Sequence, residues 1–542
     1  MEKFRKSEYF PLTLLALGFV LFIPFFWLHQ GILTIDTGRE LYIPSRMLSG
    51  ELLYKDILNI YGALAYQINA LLFALFGERI ETLYGFGLLN SFLIVTTVFF
   101  ISREFFDKTV SFFFAILTIA VPVFTSYLFN TNFPYSYSFV YSLSSFLLSV
   151  LFLIEFEKTK DIKFSCLSSL FIGFSIASKL EFSLFFLVVA YILFKNKTTI
   201  KQTLLNLFCF LAFPVISYGS LMLQGVQMSD FINTLGLIKH LSESESFKIF
   251  YQYGLTPMSF ILRLVSAVML SVGAVILLIR NKIKTEKTWL NHLLNIVFVL
   301  ILSGFFLLTW KIVFSAIPVL ILILTLIFFG KKDTKQLILL LGIIAGCFKT
   351  MFYVDIEHFG AFLLPLLLLG LSMFAQNQKR LIIITLSALF LVFVFDDCYW
   401  LREKNFLVST NKGNFYTFQK EGKTIKKLME FAQNNLTKED KLLILPEGAF
   451  VNFALSQPSK SQLYSLIPLY VGMLGEENII EELKRDLPKY IVITSLDTIE
   501  FGANNFCGDY AKEVCGYLSE NYSFNSSIDE TSYKMNIYER NE

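Results

Sequence analysis

Charge is scarce in this sequence. Only 16% of its 542 residues are Asp, Glu, Lys or Arg, while 55% are hydrophobic and 17% aromatic, and that balance excludes an ordinary soluble domain. Cysteine is sparse too. The six cysteines have no metal-ligand spacing, and Cys166, Cys209, Cys347 and Cys398 fall in or beside apolar runs where a thiol is small core filling. No Walker, Rossmann, EF-hand or zinc-binding pattern occurs, and there is no internal repeat or low-complexity tract, which removes the usual signatures of nucleotide, calcium and zinc chemistry. A net charge of +3 offers a nucleic acid little to hold. With a mean hydropathy of +0.60, what remains is a polytopic membrane protein.

Long apolar runs are abundant. Phe10 to Leu28 can cross a bilayer, follows Lys3, Arg5 and Lys6, and lacks a small-x-small cleavage site, so it reads as a retained signal anchor. Further spans are expected near 82–102, 109–128, 136–154, 202–222, 257–279, 290–309, 312–330, 336–351, 359–375 and 381–397. Their connections alternate between short basic loops, such as those of Lys158 and Lys282, and longer or base-poor ones at 29–62, 129–135, 223–256 and 349–358. The positive-inside bias puts the basic set and the N-terminus in the cytoplasm of a multi-pass protein of the plasma (inner) membrane.

Phe164 to Phe194 is too long for one span, and a single helix would bury Lys179 and Glu181 at a cost of about 3 kcal/mol each. A hairpin of two short arms avoids this, with its tip at Lys179 and Glu181 sunk below the outer surface in a protein-lined or wet cavity. A plain Lys179–Glu181 pair with a snorkelling lysine accounts for the same residues. Counting the hairpin twice gives about 13 transmembrane segments. The expected fold is therefore an all-α membrane domain over 1–400, followed over 401–542 by a small extracytoplasmic α/β domain. In that second part, helical periodicity near 421–434, 476–486 and 508–519 alternates with strands at Leu442–Leu445, Tyr490–Thr494 and Lys534–Tyr538. Cys507 and Cys515 lie there, on the oxidising side.

Chemistry is expected in the first outer loop. Asp36 is followed by Arg39, Glu40, Arg46, Glu51, Lys55 and Asp56, interleaved with Tyr42, Leu48, Leu52, Leu53 and Tyr54, and 57–76 continues as an amphipathic, interfacial stretch. A carboxylate beside such cations suits a general base next to a phosphate leaving group. Structural alternatives stand beside this: Asp36 as a helix N-cap, and the bases as lipid-headgroup contacts. His240, Lys349 and His358, from later outer loops, are candidates to close the pocket or to serve as interfacial polarity.

Asp36-Thr37-Gly38, Ser49-Gly50-Glu51-Leu52-Leu53-Tyr54-Lys55-Asp56 and Tyr61-Gly62-Ala63 resemble the first outer loop of the GT-C glycosyltransferases of the protein O-mannosyltransferase and aminoarabinose transferase type, glycosyltransferase family 39-like. The resemblance extends to the Lys179 segment, to Glu357-His358 before a Pro-containing span, and to the Pro446-Glu447-Gly448 turn. It implies a membrane enzyme that moves a sugar from a polyprenyl phosphate carrier to a hydroxyl of a lipid, glycan or protein acceptor, with inversion, at the outer face. Asp36 matches the family's catalytic aspartate. Arg39, Glu40, Arg46, Tyr54, Lys55, Asp56, Tyr61, Lys179, Glu181 and His358 are the candidate substrate-binding residues. Thr37 stands where a second acid is frequent and Ala63 where Pro is usual, so no obligatory metal is expected, although a divalent ion is compatible with the loop. The rival readings are a transporter or flippase of a lipid-linked sugar, which would be expected to show matching halves that this chain lacks, and a membrane-anchored interaction protein.

Overall fold

The computed structural model describes residues 9–125, 129–283, 285–328, 333–352, 356–437, 439–456, 462–529 and 534–541, and their side chains except those of 310–313, 327–328 and 356–361. After α1 (Tyr9–Phe26) the chain forms α2 (Asp36–Leu48) and α3 (Leu64–Phe76), then α4 (Ile80–Arg103), α5 (Lys108–Thr118) and α6 (Tyr137–Thr159). A hairpin of α7 (Ile162–Ser178) and α8 (Phe185–Lys195) leads to α9 (Ile200–Gln224). Next come α10 (Met228–Glu243), α11 (Glu245–Tyr251), α12 (Pro257–Lys282), α13 (Thr288–Phe314), α14 (Ile317–Phe328), α15 (Thr334–Cys347), α16 (Ile356–Ser372) and α17 (Lys379–Glu403). Among the described residues, 7 helices are long and apolar enough to cross a membrane: α4, α6, α9, α12, α13, α17 and the stretch Thr334–Met351 that contains α15. The other expected spans are shorter apolar helices, so length alone does not reach a count of 13. The hairpin of α7 and α8 is one reason, since neither of its arms reaches across about 30 Å of hydrocarbon.

The remainder is mixed. A hairpin of β1 (Phe406–Thr410) and β2 (Gly413–Thr417) precedes α18 (Gln419–Asn435), β3 (Leu442–Leu445), α19 (Ala449–Leu455), α20 (Pro468–Leu474), α21 (Glu476–Asp486), β4 (Tyr490–Thr494), α22 (Lys512–Asn521), β5 (Tyr522–Asp529) and β6 (Lys534–Arg540). The larger sheet has strand order β3-β4-β6-β5, with β3 parallel to β4 and the other pairs antiparallel. Register places Leu442 opposite Tyr490 and Val492 opposite Ile537. Helix α18 covers the sheet because its buried Ile425, Leu428, Met429 and Ala432 follow the helical repeat. Cys507 and Cys515 form a disulfide.

The membrane helices and this sheet share one buried apolar cluster, which runs from Leu15 to Ile537. Among the contacts that join them, three lie around the start of α2. Helix α2 packs on α19 at Gly38, where a Cβ would fall 2.2 Å from the Leu33 carbonyl oxygen and 2.8 Å from Phe450 Cβ. The end of α1 is pinned to β2, with the Tyr416 N–H donating to the Leu28 carbonyl at 2.9 Å and His29 stacked on Tyr416 at 3.9 Å. Buried Lys404 donates to the Gly31 carbonyl at 2.9 Å.

Candidate active site

Asp36 is the first residue of α2, not its cap. Ile35 holds the cap position without a side-chain hydrogen bond, and the Asp36 carboxylate takes its bond from Arg39 one turn on. Arg39 is nearly fully buried and is held from several sides. It ion-pairs with Asp36, its Nε lies 2.7 Å from Glu447 Oε1, and its Nη1 donates to the Tyr470 hydroxyl at 3.3 Å. The approach to Glu447 is off the N–H direction, so this contact is an ion pair without a formal hydrogen bond. The guanidinium also sits over the Tyr135 ring, 4.8 Å from its centroid.

Opposite lies the hairpin tip. Helix α7 stops at Ser178 because Lys179 turns to extended backbone (φ −161°, ψ 141°), and a short turn, Leu180–Phe182, carries Glu181 before α8 begins. Lys179 Nζ is 3.4 Å from Glu181 Oε1, and Lys349, entering from the end of α15, pairs with the same carboxylate oxygen. The ammonium groups lie over aromatic rings, with Lys179 Nζ 4.6 Å from the centre of Tyr61 and Lys349 Nζ 5.5 Å from that of Tyr251. Gly62 permits the docking of the first loop on this tip, since a Cβ there would lie 2.2 Å from the Ala177 carbonyl oxygen.

Asp36, Arg39, Lys179 and Lys349 line one cavity of about 80 Å³, with Tyr61, Tyr135, Tyr251 and Tyr470 among its walls and Glu500 at its edge. The Tyr61 and Tyr135 hydroxyls are 2.8 Å apart, and burial holds both protonated far above the ordinary phenol range. Beneath them Glu40 is enclosed, accepting from the Tyr137 N–H at 2.9 Å and the Tyr66 hydroxyl at 3.4 Å. Burial pushes its carboxyl up to about 7, against the pull of that backbone bond and of the Arg39 and Lys179 charges.

The structure thus brings Asp36, Arg39, Tyr61 and Lys179 to one cavity, with Glu40 and Glu181 packed behind. Other expected residues go elsewhere. Arg46 lies two turns further along α2, fully buried and paired with Glu51. Tyr54 donates to the Tyr61 carbonyl at 2.6 Å and packs on Phe231, which makes it a brace for the loop. Lys55 is exposed, and its carbonyl accepts from Gln462 at 3.0 Å. Asp56 closes a turn by accepting from the Leu52 N–H at 2.9 Å. The side chain of His358 falls outside the described residues. Sequence alone does not mark Glu447, Tyr135, Tyr251, Tyr470 or Glu500 as site residues, although it points to the Glu447 turn and to Lys349. Among the described residues no three His, Cys, Asp or Glu side chains gather as a metal would need, and the carboxylates nearest the cavity are already engaged by Arg39 and the lysines.

Residues 63–219 match the family model of dolichyl-phosphate-mannose-protein mannosyltransferase. This match covers less than a third of the chain. It spans Tyr135, Lys179 and Glu181 but not Asp36. No curated protein sequence matches the chain. Among solved structures, ArnT from Cupriavidus metallidurans bound to undecaprenyl phosphate is similar at 11% identity over 98% of this chain and 98% of that one, with a TM-score of 0.47. The oligosaccharyltransferase AglB from Archaeoglobus fulgidus, in complex with an inhibitory peptide and a dolichol-phosphate, is similar at 13% identity over 98% of this chain and 74% of that one, with a TM-score of 0.46.

Proposed function

We propose that this protein transfers a sugar from a polyprenyl-phosphate-linked donor to an acceptor hydroxyl, with inversion, at the extracytoplasmic face of the membrane. The observation that carries the reading is the meeting of Asp36 with Lys179 and Lys349 in one tyrosine-walled cavity, from segments far apart in sequence. In this reading Asp36 accepts the acceptor's proton while the sugar–phosphate bond breaks, and the ammonium groups of Lys179 and Lys349 hold the departing phosphate. Arg39 and the tyrosine hydroxyls orient the reacting groups in a site shielded from water, where such charges act strongly. The phosphate cations are thus Lys179, Lys349 and Arg39, and Arg46 and Lys55 support the loop. No step is assigned to a metal.

The match over 63–219 supports glycosyl transfer, and the excess positive charge at the hairpin tip supports a phosphate-bearing donor. The acceptor is a lipid, a glycan or a protein. The membrane domain over 1–400, the outer domain over 401–542 and the cytoplasmic N-terminus complete the proposal; the change of composition near Leu401 supports the division and the loop charges support the orientation. The test is incubation of the purified protein with labelled polyprenyl phosphate sugars in the presence of membrane extract. Consumption of one donor with release of the carrier phosphate is expected, and inert behaviour toward all of them would leave the transporter reading ahead.

A further inference from the structure

A second cavity, of about 720 Å³, opens at the opposite end of the hairpin, between α7, α8 and α9. Its origin is a mismatch of lengths: α8 has 11 residues, roughly 16 Å, beside the 25 residues of α9, roughly 38 Å. The groove so left is walled by Val189, Leu193 and Leu207, and its mouth carries Lys195, Lys197 and Thr198. Around it the surface is that of a lipid-facing protein, with Phe194 83% and Phe208 73% exposed. The mouth is cationic. Glu157, the acidic neighbour, already pairs with Lys160 at 2.8 Å and accepts from Asn196 at 2.8 Å. Lys195 donates to Thr334, which ties the mouth to α15, and Lys197 turns the chain in the left-handed region (φ 52°) with its side chain exposed.

We propose that this cavity binds an anionic phospholipid from the leaflet on the basic-loop side, with one acyl chain in the groove and the phosphodiester between Lys195 and Lys197. An apolar slot whose mouth carries two lysines and a threonine hydroxyl matches that amphiphile, and each lysine near the headgroup favours the anion. The bound lipid fills the gap beside α8 and braces the short arm against α9. The site is separate from the catalytic cavity and does not depend on the transfer reaction.

The experiment is release of the protein from nanodiscs of equal phosphatidylglycerol and phosphatidylcholine, with retained lipid identified by native mass spectrometry. The parent is expected to retain phosphatidylglycerol preferentially. Lys197→Ala, at an exposed side chain, should lower the preference about fivefold, and Lys195→Ala with Lys197→Ala about twentyfold. Ala190→Trp, at an exposed wall position, should expel both lipids. Equal retention of the two lipids by the parent, undiminished preference in Lys197→Ala, or parental retention by Ala190→Trp would overturn the assignment. Millimolar inorganic phosphate should leave retention unchanged, and full displacement would make the mouth a free-anion site and refute the lipid.

Discussion

Two buried ion clusters face the same cavity with opposite composition. On the α2 side one cation, Arg39, lies between two carboxylates, Asp36 and Glu447. On the hairpin side one carboxylate, Glu181, lies between two cations, Lys179 and Lys349. Each cluster neutralises most of its own charge, which keeps the desolvation cost tolerable, and by formal charge each leaves one unit in excess. The negative excess belongs to a residue suited to take a proton and the positive excess to residues suited to hold a phosphate. A purely structural pair needs no such imbalance.

The largest expected effect comes from removing the negative excess. Asp36→Asn should lower transfer by about a hundredfold to ten-thousandfold while donor binding and thermal stability stay near parental, because an amide keeps the size but cannot take the proton. Near-parental turnover would break the comparison and return both clusters to a structural role. Removing a cation from the other side should act differently. Lys179→Ala should weaken donor binding along with the rate and cost about 3 kcal/mol of stability, since Glu181 loses one of its two partners in a buried setting. Parallel thermal melts and donor titrations check it, and a loss of rate with unchanged donor affinity would contradict the phosphate role.

The carboxyl behind the clusters gives a pH signature. Glu40, pushed up to about 7, binds its proton more tightly folded than unfolded. Its favourable share, about 3 kcal/mol, is therefore full below the ordinary carboxylate range and drains away as pH rises toward 7. Glu40→Gln should flatten the stability slope between about pH 4.5 and 7 and raise the melting temperature at pH 8. An unchanged slope would show that Glu40 stays ionised through its contacts with Arg39 and Lys179. The smallest effect concerns a region outside the comparison. Opening the Cys507–Cys515 bridge should cost the C-terminal part about 2 kcal/mol, read as a lower melting temperature with reductant and no change in donor affinity.

The two clusters were unequally legible in sequence. Asp36 and Arg39 stand three apart, so helical geometry alone puts them on one face. Lys179 could be placed because a charge in the middle of an overlong apolar run demands a break in the helix. Arg46 could not be sorted from Arg39, since both carry the same charge on nearly the same stripe of α2. Their separation of about 10 Å along the axis decides which one meets the cavity. Glu447, Tyr251 and Tyr470 arrive from elements whose packing against α2 and α11 no local pattern encodes, and a tyrosine near a membrane edge looks like an interfacial anchor. In the C-terminal part, β3, β4 and β6 follow apolar runs and were foreseen. β5, Tyr522–Asp529, was not, because its mostly exposed, polar residues lack an alternating apolar face.

The shortness of α7 also bears on what can be glycosylated. Its 17 residues rise roughly 25 Å, whereas the 23 residues of the neighbouring α6 rise roughly 34 Å. Under the proposed orientation the lysines therefore wait at a depth where a carrier phosphate can meet them without its isoprenoid tail being hauled out of the bilayer. The opposite traveller bears the cost, since a hydroxyl arriving from the water must reach a chamber of about 80 Å³ walled in part by Leu469, Tyr470 and Phe501 of the C-terminal part. Under that proposal a slender or pliant acceptor is favoured over a hydroxyl on the rigid face of a folded protein.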